Sequence, residues 1–362
     1  MKRVLKMFNK KENRMKKILL TLSLLCLPFL AGGCSSDNRA ELTVYNWGDY
    51  MDPAVIAQFE DEYNCRVNYE TFTSNEDMYV KVKNSSDTYD VLVPSDYMIE
   101  RLIKEDMLQP ISKDNIPNLA NIDASSMNLA FDPGNQYSVP YFYGVLGIVY
   151  NTDQVTDPVD SWNILWNDKY ASKILMYDSI RDSMGASLKR LGFSMNETNE
   201  TNINAARDAL IAQKPLVMAY VTDNVKSLMA SGDAAMAVVY SGDAAIIMSQ
   251  NNSVNLNFAV PKEGSNAFYD NFVIPKNAKN PELAEQFINF MLTPEIAAKN
   301  IEYVGYSSPN SPALALLDSS WSDNTGFNVS KEDLARCEIF KDLPNNVMEI
   351  YNRAWTEINV SK

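Results

Sequence analysis

The chain has 362 residues, with 32 Lys and Arg against 46 Asp and Glu, 46% hydrophobic residues and no histidine. The missing histidine excludes Ser-His-Asp and Cys-His catalysis and a His-ligated zinc site. The formal charge of −14 disfavours a nucleic-acid partner and favours cations, and the length predicts about two domains.

The first 33 residues have the pattern of a secretory signal peptide. They carry eight of the basic residues and one acid, and residues 18–30 form an apolar run that is followed by small residues. That run is too short for a transmembrane helix, which needs roughly 20 residues. Taking these charges from 32 and 46 leaves 24 basic against 45 acidic residues, so the rest of the chain has a net charge of −21.

Cys34 follows the run Leu-Ala-Gly-Gly, which resembles the lipobox of bacterial lipoproteins with one Gly more than the commonest spacing. We therefore expect lipidation at Cys34, a lipidated linker over residues 34–41 and an extracytoplasmic protein anchored to the cell membrane. The alternative is an ordinary cleaved signal with an incidental cysteine. Cys65 and Cys337 either form a disulfide or are two separate buried thiols, and we favour the second interpretation.

From residue 42 onward, strand patterns alternate with helix patterns. Asp52-Pro53 predicts the start of a helix whose Val55 and Phe59 lie on one face, and Asn280-Pro281 and Thr293-Pro294 predict two more helix starts. Residues 196–204 are polar and predict an exposed loop, with a helix following at Ala205. The further predicted strands are residues 42–46, 65–69, 89–93, 144–150, 235–240 and 272–274, and the further predicted helices are residues 78–83 and 98–105. This alternation predicts an α/β protein with mostly parallel sheets.

Aromatic residues and carboxylates recur together at the predicted strand ends, where ligands bind in open α/β sheets. The pairing suits an organic cation, because aromatic faces attract ammonium groups and carboxylates accept their N–H bonds. Each residue alone also has a structural explanation. An aromatic residue after a strand packs in a core, Asp49 and Asp270 are common turn formers, and Asp243 is a helix N-cap.

Seven runs in this order resemble the spermidine/putrescine-binding proteins of polyamine ABC transporters, and the resemblance covers nearly all of residues 42–311. The runs are Asn46-Trp47-Gly48-Asp49-Tyr50, Ser74-Asn75-Glu76-Asp77-Met78-Tyr79, Val93-Pro94-Ser95-Asp96-Tyr97, Phe131-Asp132-Pro133, Pro261-Lys262-Glu263-Gly264, Ile274-Pro275-Lys276-Asn277-Ala278-Lys279-Asn280 and Gly305-Tyr306-Ser307-Ser308-Pro309-Asn310.

The resemblance implies a two-lobed periplasmic-binding-protein-like fold, with a mostly parallel sheet flanked by helices in each lobe and a ligand cleft between the lobes. We place the first lobe at residues 42–144 and 271–311, and the second lobe at residues 145–270 and 312–362. The implied function is to capture spermidine or putrescine and deliver it to the membrane permease and ATPase of an importer. We expect a monomer with no catalysis, cofactor, metal or nucleic-acid partner.

The resemblance also implies a set of ligand-binding residues. Asp270, Asp182 and Asp243 are the expected ammonium-binding carboxylates, and Tyr240 and Phe268 stand where the family usually has Trp. The full set is Trp47, Asp49, Tyr50, Ser95, Tyr97, Asp182, Tyr240, Asp243, Phe268, Asp270 and Tyr306.

The sequence departs from the family at two positions. Ser179 stands at an aligned position where the family has an acid, which Asp243 is expected to replace. Lys341 falls where spermidine-type members use Gln, and a cation there is expected to repel an ammonium group. The alternatives to a polyamine are a sugar, an amino acid or, less favoured, ferric ion in the same fold. A secreted hydrolase that pairs Asp49 with Asp270 and a surface adhesin or sensor are further alternatives.

Overall fold

The computed structural model describes residues 39–250 and 253–361, and residues 41–362 form one compact unit. The predicted signal peptide over residues 1–33 and the predicted lipidation site Cys34 lie outside the described residues. Among the helices that are described, each is too short or too polar to cross a membrane.

The described residues contain ten strands, all in one mixed sheet. The strands are β1 (Ala40–Trp47), β2 (Cys65–Phe72), β3 (Val91–Leu92), β4 (Ser138–Asn151), β5 (Ile174–Tyr177), β6 (Val217–Val221), β7 (Met236–Tyr240), β8 (Leu256–Ala259), β9 (Asn266–Val273) and β10 (Glu338–Ile339).

The same residues contain thirteen α-helices, which lie around the sheet. They are α1 (Pro53–Tyr63), α2 (Asn75–Asn84), α3 (Asp96–Lys104), α4 (Ile180–Arg190), α5 (Glu200–Gln213), α6 (Val225–Ala230), α7 (Ser241–Gln250), α8 (Pro281–Met291), α9 (Pro294–Val304), α10 (Ser311–Leu314), α11 (Ser320–Asp323), α12 (Lys331–Ala335) and α13 (Asn345–Val360). Short 3₁₀ turns occupy Lys113–Asn115, Pro117–Asn121, Ala124–Ser126, Trp162–Trp166, Asp168–Tyr170 and Lys214–Leu216.

The sheet has the order β2-β1-β3-β9-β4-β7-β5-β6, with β10 beside β9 and β8 beside β4. We call β2, β1 and β3 with their helices the first half, and β7, β5 and β6 with their helices the second half. Pairing is parallel between β1 and β3 and between β5 and its two neighbours, whereas the long central strands β4 and β9 are antiparallel to each other. The predicted α/β class is confirmed. The predicted lobe boundaries fall inside β4 and β9, and that division stays a prediction.

Each half of the sheet has its own apolar core. In the first half, Phe59 of α1, Phe287 of α8 and Phe272 of β9 are fully buried. The ring centroid of Phe287 lies 5.0 Å from that of Phe59 and 6.3 Å from that of Phe272. In the second half, Trp162 is fully buried and its indole donates to the Gly264 carbonyl at 2.9 Å. Burying a large side chain stabilises the fold by about 1.5–3 kcal/mol. Each core therefore stabilises the strands and helices on its own side of the central strands β4 and β9.

Local sequence signals explain where several helices begin. The Asp52 carboxylate accepts from the Ala54 amide at 2.8 Å, and Pro53 opens α1 as predicted. Helices α8 and α9 also begin at their predicted prolines, although the Asn280 amide donates to the Glu41 carbonyl instead of capping α8.

Several predicted boundaries were wrong, and the differences are largest for β4, α5 and β9. Strand β4 begins at Ser138, six residues before the predicted start. Helix α5 begins at Glu200, five residues before the predicted start, because the Asn199 side chain accepts from the Thr201 amide at 2.9 Å and caps it. Strand β9 begins at Asn266 instead of residue 272, because its first residues pair with β4. Cys65 packs in the core of the first half and Cys337 packs beside the second half, so these two thiols are not bonded to each other.

Candidate functional site

The central feature of the predicted site is a set of aspartates that each accept a hydrogen bond from a tyrosine hydroxyl. The pairs are Tyr50 with Asp270 at 2.6 Å, Tyr240 with Asp182 at 2.7 Å and Tyr306 with Asp243 at 3.1 Å. All six residues belong to the set predicted from the sequence. The structure therefore brings together residues that are up to 220 positions apart.

Asp270 is buried and accepts hydrogen bonds from two hydroxyls. It lies on β9 opposite Phe142 of β4, is 4% exposed and also accepts from the Ser95 hydroxyl at 2.6 Å. Burial raises the pKa of Asp270 to about 7, although the bonds from Ser95 and Tyr50 act in the opposite direction. A cation at this carboxylate would stabilise its ionised form.

Ser95 and Tyr97 are held by one asparagine. Asn75, at the start of α2, donates to the Ser95 hydroxyl and to the Tyr97 hydroxyl, both at 3.1 Å. The Tyr97 hydroxyl donates in turn to Glu76 at 3.0 Å. This network fixes the Ser95 hydroxyl that bonds to Asp270 and positions the Tyr97 ring at the start of α3.

Asp182 lies in the first turn of α4 and is 4% exposed. Burial raises its pKa, while the hydroxyls of Ser179 and Tyr240 and the charge of Arg181 lower it. The Arg181 guanidinium itself donates to Asn196 at 3.0 Å and lies 4.3 Å from the centre of the Phe340 ring. It therefore holds the C-terminal segment and acts on Asp182 only through its charge.

Asp243 differs from the other two aspartates because it has a cationic partner. The Lys226 ammonium of α6 lies 3.2 Å from one Asp243 oxygen, and the Tyr306 hydroxyl donates to the other oxygen. Burial raises the pKa of Asp243, and the Lys226 charge lowers it. The neighbouring Asp243 carboxylate in turn raises the pKa of Lys226, against the effect of burial, which keeps the lysine protonated.

A glycine explains how Tyr306 reaches Asp243. A Cβ atom at Gly242, next to Asp243 in α7, would lie 2.3 Å from the Tyr306 ring. Gly305, which precedes Tyr306, ends α9 at a positive φ of 82° that favours glycine. The tyrosine ring therefore packs directly on the backbone of α7.

The aromatic rings form a continuous series between the carboxylates. Edge-to-face contacts join Tyr240 to Phe268 at 5.1 Å, Phe268 to Tyr306 at 5.6 Å and Tyr306 to Tyr50 at 5.3 Å between ring centroids. Edge-to-face pairs contribute about 0.5–1.5 kcal/mol each beyond the area that they bury. Phe268, which stands where the resemblance leads us to expect Trp, contacts both Tyr240 and Tyr306 and so connects their rings.

Trp47 and Asp49 lie at the edge of this set. The Trp47 ring packs 4.5 Å from Phe72, and its indole donates to the Val93 carbonyl at 2.9 Å. The Asp49 side chain is 72% exposed, its φ is 49°, and its carboxylate lies 3.9 Å from Lys226. Asp49 thus faces solvent, and its nearest charged contact is a lysine of the second half.

The structure also shows where three groups of residues singled out from the sequence lie. Phe268 and Asp270 lie within β9 and do not precede it as predicted, because β4 pairs along the whole segment. Asp243 is inside the first turn of α7 and is not its N-cap. Lys341 is exposed, and it is its backbone carbonyl that accepts from Arg181 at 3.3 Å.

Sequence reasoning missed several residues that complete the site. Asn75 lies within one of the runs that carried the family resemblance, so it had a local signal. Lys226 had none, because α6 is a helix of six residues with no motif. Arg181 and Phe340 are 159 positions apart in the sequence, and only the fold brings them together.

The arrangement offers anionic oxygens beside aromatic faces, which is the chemistry that suits an organic ammonium ion. The described residues contain no group of three or more His, Cys, Asp or Glu side chains placed to hold a metal ion. A cavity of about 30 Å³ behind Gly144 and Ser241 has room for roughly one water molecule.

The chain is similar in sequence to known bacterial solute-binding proteins. A family model described as bacterial extracellular solute-binding protein matches residues 54–328. The spermidine/putrescine-binding periplasmic protein of Escherichia coli is 37% identical over 300 residues, covering 81% of this chain and 85% of the relative. A putrescine-binding periplasmic protein of Pseudomonas aeruginosa is 31% identical over 366 residues, covering 96% of this chain and 99% of the relative.

A solved structure gives the same result for the fold. A putative spermidine/putrescine ABC transporter protein from Listeria monocytogenes superposes with a TM-score of 0.85 at 43% identity. The match covers 89% of this chain and 99% of that one. The predicted two-lobed periplasmic-binding-protein fold is thereby confirmed.

Proposed function

This chain belongs to the family of bacterial extracellular solute-binding proteins, and we propose that its solute is a polyamine, which it delivers to the permease and ATPase of an ABC importer. The observation that carries the proposal is the set of three Tyr–Asp pairs joined by one aromatic series. The names of the relatives in Escherichia coli and Pseudomonas aeruginosa support the same solute class.

In the proposed complex, ammonium groups bind to the carboxylates and the methylene segments lie against the rings. A cation over a desolvated aromatic face contributes about 0.5–2 kcal/mol. A few such contacts together with charge-assisted hydrogen bonds reach micromolar affinity, which corresponds to about −8 kcal/mol. Closure of the two lobes about β4 and β9 would enclose the ligand, as hinge motion does in binding proteins of this kind.

Capture of this kind needs no catalytic step. The hydrolase alternative would require Asp49 and Asp270 to act as a pair on one substrate. Asp49 is 72% exposed with Lys226 as its charged neighbour, whereas Asp270 is buried and bonded by Tyr50 and Ser95. These different environments favour binding over hydrolysis.

The experiment is a calorimetric titration of the purified chain with putrescine and spermidine. The matched control is 1,4-butanediol, which has the carbon chain of putrescine with hydroxyls in place of ammonium groups. We expect micromolar binding of at least one polyamine and no heat with the diol. Equal binding of the diol, or binding of sugars or amino acids instead of both polyamines, would overturn the proposal.

We further propose that the chain is exported, lipidated at Cys34 and monomeric on the cell membrane. The basic and apolar segments of residues 1–33 and the Leu-Ala-Gly-Gly-Cys run support this. Replacing Cys34 with Ser should move the protein from the membrane fraction to the medium or periplasm and abolish labelling by a fatty acid. Light scattering of the purified chain tests the monomer.

A further inference from the structure

Lys226 lies where the proposed function places a ligand ammonium group. Its Nζ atom is 3.2 Å from Asp243 and 3.9 Å from Asp49, and the side chain is 31% exposed. A lysine side chain is a primary ammonium on four methylenes, so it has the same chemistry as one end of a polyamine. Asp243 is therefore already supplied with an ammonium group by the chain itself.

The other two carboxylates are in a different situation. In the described part of the chain, the hydrogen bonds to Asp270 come from the hydroxyls of Tyr50 and Ser95, and Asp182 accepts from the Tyr240 hydroxyl. A hydroxyl donates a hydrogen bond but brings no positive charge. When they are ionised, Asp270 thus has no cation of the described residues bonded to it, and Asp182 has only the nearby charge of Arg181, which donates its hydrogen bonds elsewhere.

Arg181 does not fill the same role for Asp182. Its guanidinium donates to the Asn196 side chain and to the Lys341 carbonyl, and it stacks on the Phe340 ring. These contacts direct its donors toward the C-terminal segment. Asp182 is left with hydroxyl donors, as Asp270 is.

We infer that Lys226 is a specificity-determining residue that satisfies Asp243 and leaves two carboxylates for the ligand, so that the site prefers a diamine to a triamine. Lys226 forms an ion pair with Asp243, whereas Asp270 and Asp182 have no cation from the described part of the chain bonded to them, and these two carboxylates match the two ammonium groups of a diamine. A third ammonium would have to displace Lys226 or remain without a carboxylate. This inference rests on the proposed function, because it concerns the same site.

The test compares putrescine and spermidine affinities in the full chain and in Lys226→Met, which keeps the apolar stem and removes the charge. We expect the unaltered chain to bind putrescine at least about tenfold more tightly than spermidine. We expect Lys226→Met to shift the affinity ratio toward spermidine by about tenfold or more, because Asp243 becomes available to a third ammonium. The matched control is Lys262→Met. The Lys262 ammonium lies 3.3 Å from the Asp160 carboxylate, and its side chain is far more exposed than that of Lys226, so this variant should leave the affinity ratio unchanged.

A double variant separates specificity from a general loss of structure. Lys226→Met combined with Asp243→Asn removes both partners and should restore the preference for putrescine. A merely structural role for Lys226 would not produce this reversal. Lys226→Arg keeps the charge and should also keep the preference for putrescine. If Lys226→Met folds poorly, the affinity ratio of Lys226→Arg still tests the inference.

The outcomes distinguish this inference from the function on which it rests. If the unaltered chain binds neither polyamine, both proposals fail. If it binds a polyamine but prefers spermidine, or if Lys226→Met leaves the ratio within about twofold, only the role of Lys226 is overturned.

Discussion

Asp270 and Asp243 are both aspartates beside a tyrosine, but of the two only Asp243 has a cation of the described chain bonded to it. Each aspartate accepts from a tyrosine hydroxyl, but Asp270 adds a serine hydroxyl whereas Asp243 adds the Lys226 ammonium. If the proposed function holds, the difference implies that a carboxylate beside an aromatic ring is a binding position for a ligand cation only when the chain has not already paired it with a cation of its own.

The largest expected effect comes from Asp270→Asn. The amide keeps the shape, and its oxygen can accept from one of the two hydroxyls of Tyr50 and Ser95 while its NH2 group donates to the other, but it has no charge for an ammonium group. Loss of one partner of a buried charged pair costs about 2–5 kcal/mol, so we expect polyamine affinity to fall by roughly 30- to 5,000-fold. Calorimetry measures this change.

The control for that variant is Asp160→Asn, which neutralises an aspartate whose side chain is 64% exposed and which pairs with Lys262. It should leave the affinity unchanged. Equal losses in the two variants would mean that general surface charge, and not Asp270, attracts the ligand.

The pH dependence of binding should come mainly from Asp270. Its pKa of about 7 in the folded chain means that it is protonated below pH 7, whereas an ammonium ligand needs it ionised. The ligand amines, with pKa values of about 10, stay charged in this range. Affinity should therefore rise by about tenfold per pH unit up to pH 7 and then level off, with protons released on binding below pH 7.

Calorimetry in buffers of different ionisation enthalpy measures the released protons. Asp270→Asn should remove the release, and the absence of histidine keeps this pH range free of imidazole titration. Asp160→Asn, at an aspartate whose side chain is 64% exposed, should leave the release unchanged and serves as the control. A pH profile that stays the same in Asp270→Asn would contradict the assignment.

A matched pair of tyrosine variants should give a smaller effect. In Tyr50→Phe, Asp270 loses a hydrogen bond that lowers its pKa, so the midpoint of the pH profile should move to higher pH. In Tyr306→Phe, Asp243 keeps the Lys226 charge, which still favours its ionised form, and the midpoint should stay in place. Equal shifts in both variants would mean that Lys226 does not hold Asp243 ionised.

The smallest expected effect is that of Asp49→Asn. Asn tolerates the positive φ of this position, and an exposed ion pair at 3.9 Å contributes about 0–1 kcal/mol. We expect polyamine affinity to change by less than about fivefold. A loss as large as that of Asp270→Asn would mean that Asp49 moves into the site when the ligand binds.

Much of the fold was predictable because its signals are local. The Asp52-Pro53 pair and the apolar spacing of Val55 and Phe59 depend on neighbours within one helix, and the structure agrees with them. The start of β9 was not predictable in this way. It is set by pairing with β4, more than 120 positions earlier in the chain, and pairing leaves no mark on β9 alone.

The same distinction applies to the site. The residue types of the Tyr–Asp pairs were predicted from strand ends and from the family resemblance, but the pairing of each tyrosine with its aspartate was not. Tyr306 and Asp243 are 63 positions apart and meet because Gly242 allows the ring to lie on α7. Lys226 reaches Asp243 from a separate short helix, so only the three-dimensional structure reveals it.

The three tyrosine hydroxyls bonded to aspartates also make tyrosine absorbance an intrinsic spectroscopic probe of this site. The near-ultraviolet absorption of a tyrosine depends on the partner of its hydroxyl, and Tyr50, Tyr240 and Tyr306 each face a carboxylate. If the proposed function holds, a cation that arrives at such a carboxylate should weaken or replace the hydroxyl bond. We therefore expect that ligand binding can be followed by difference absorbance without a dye, a fluorophore or a radioactive solute.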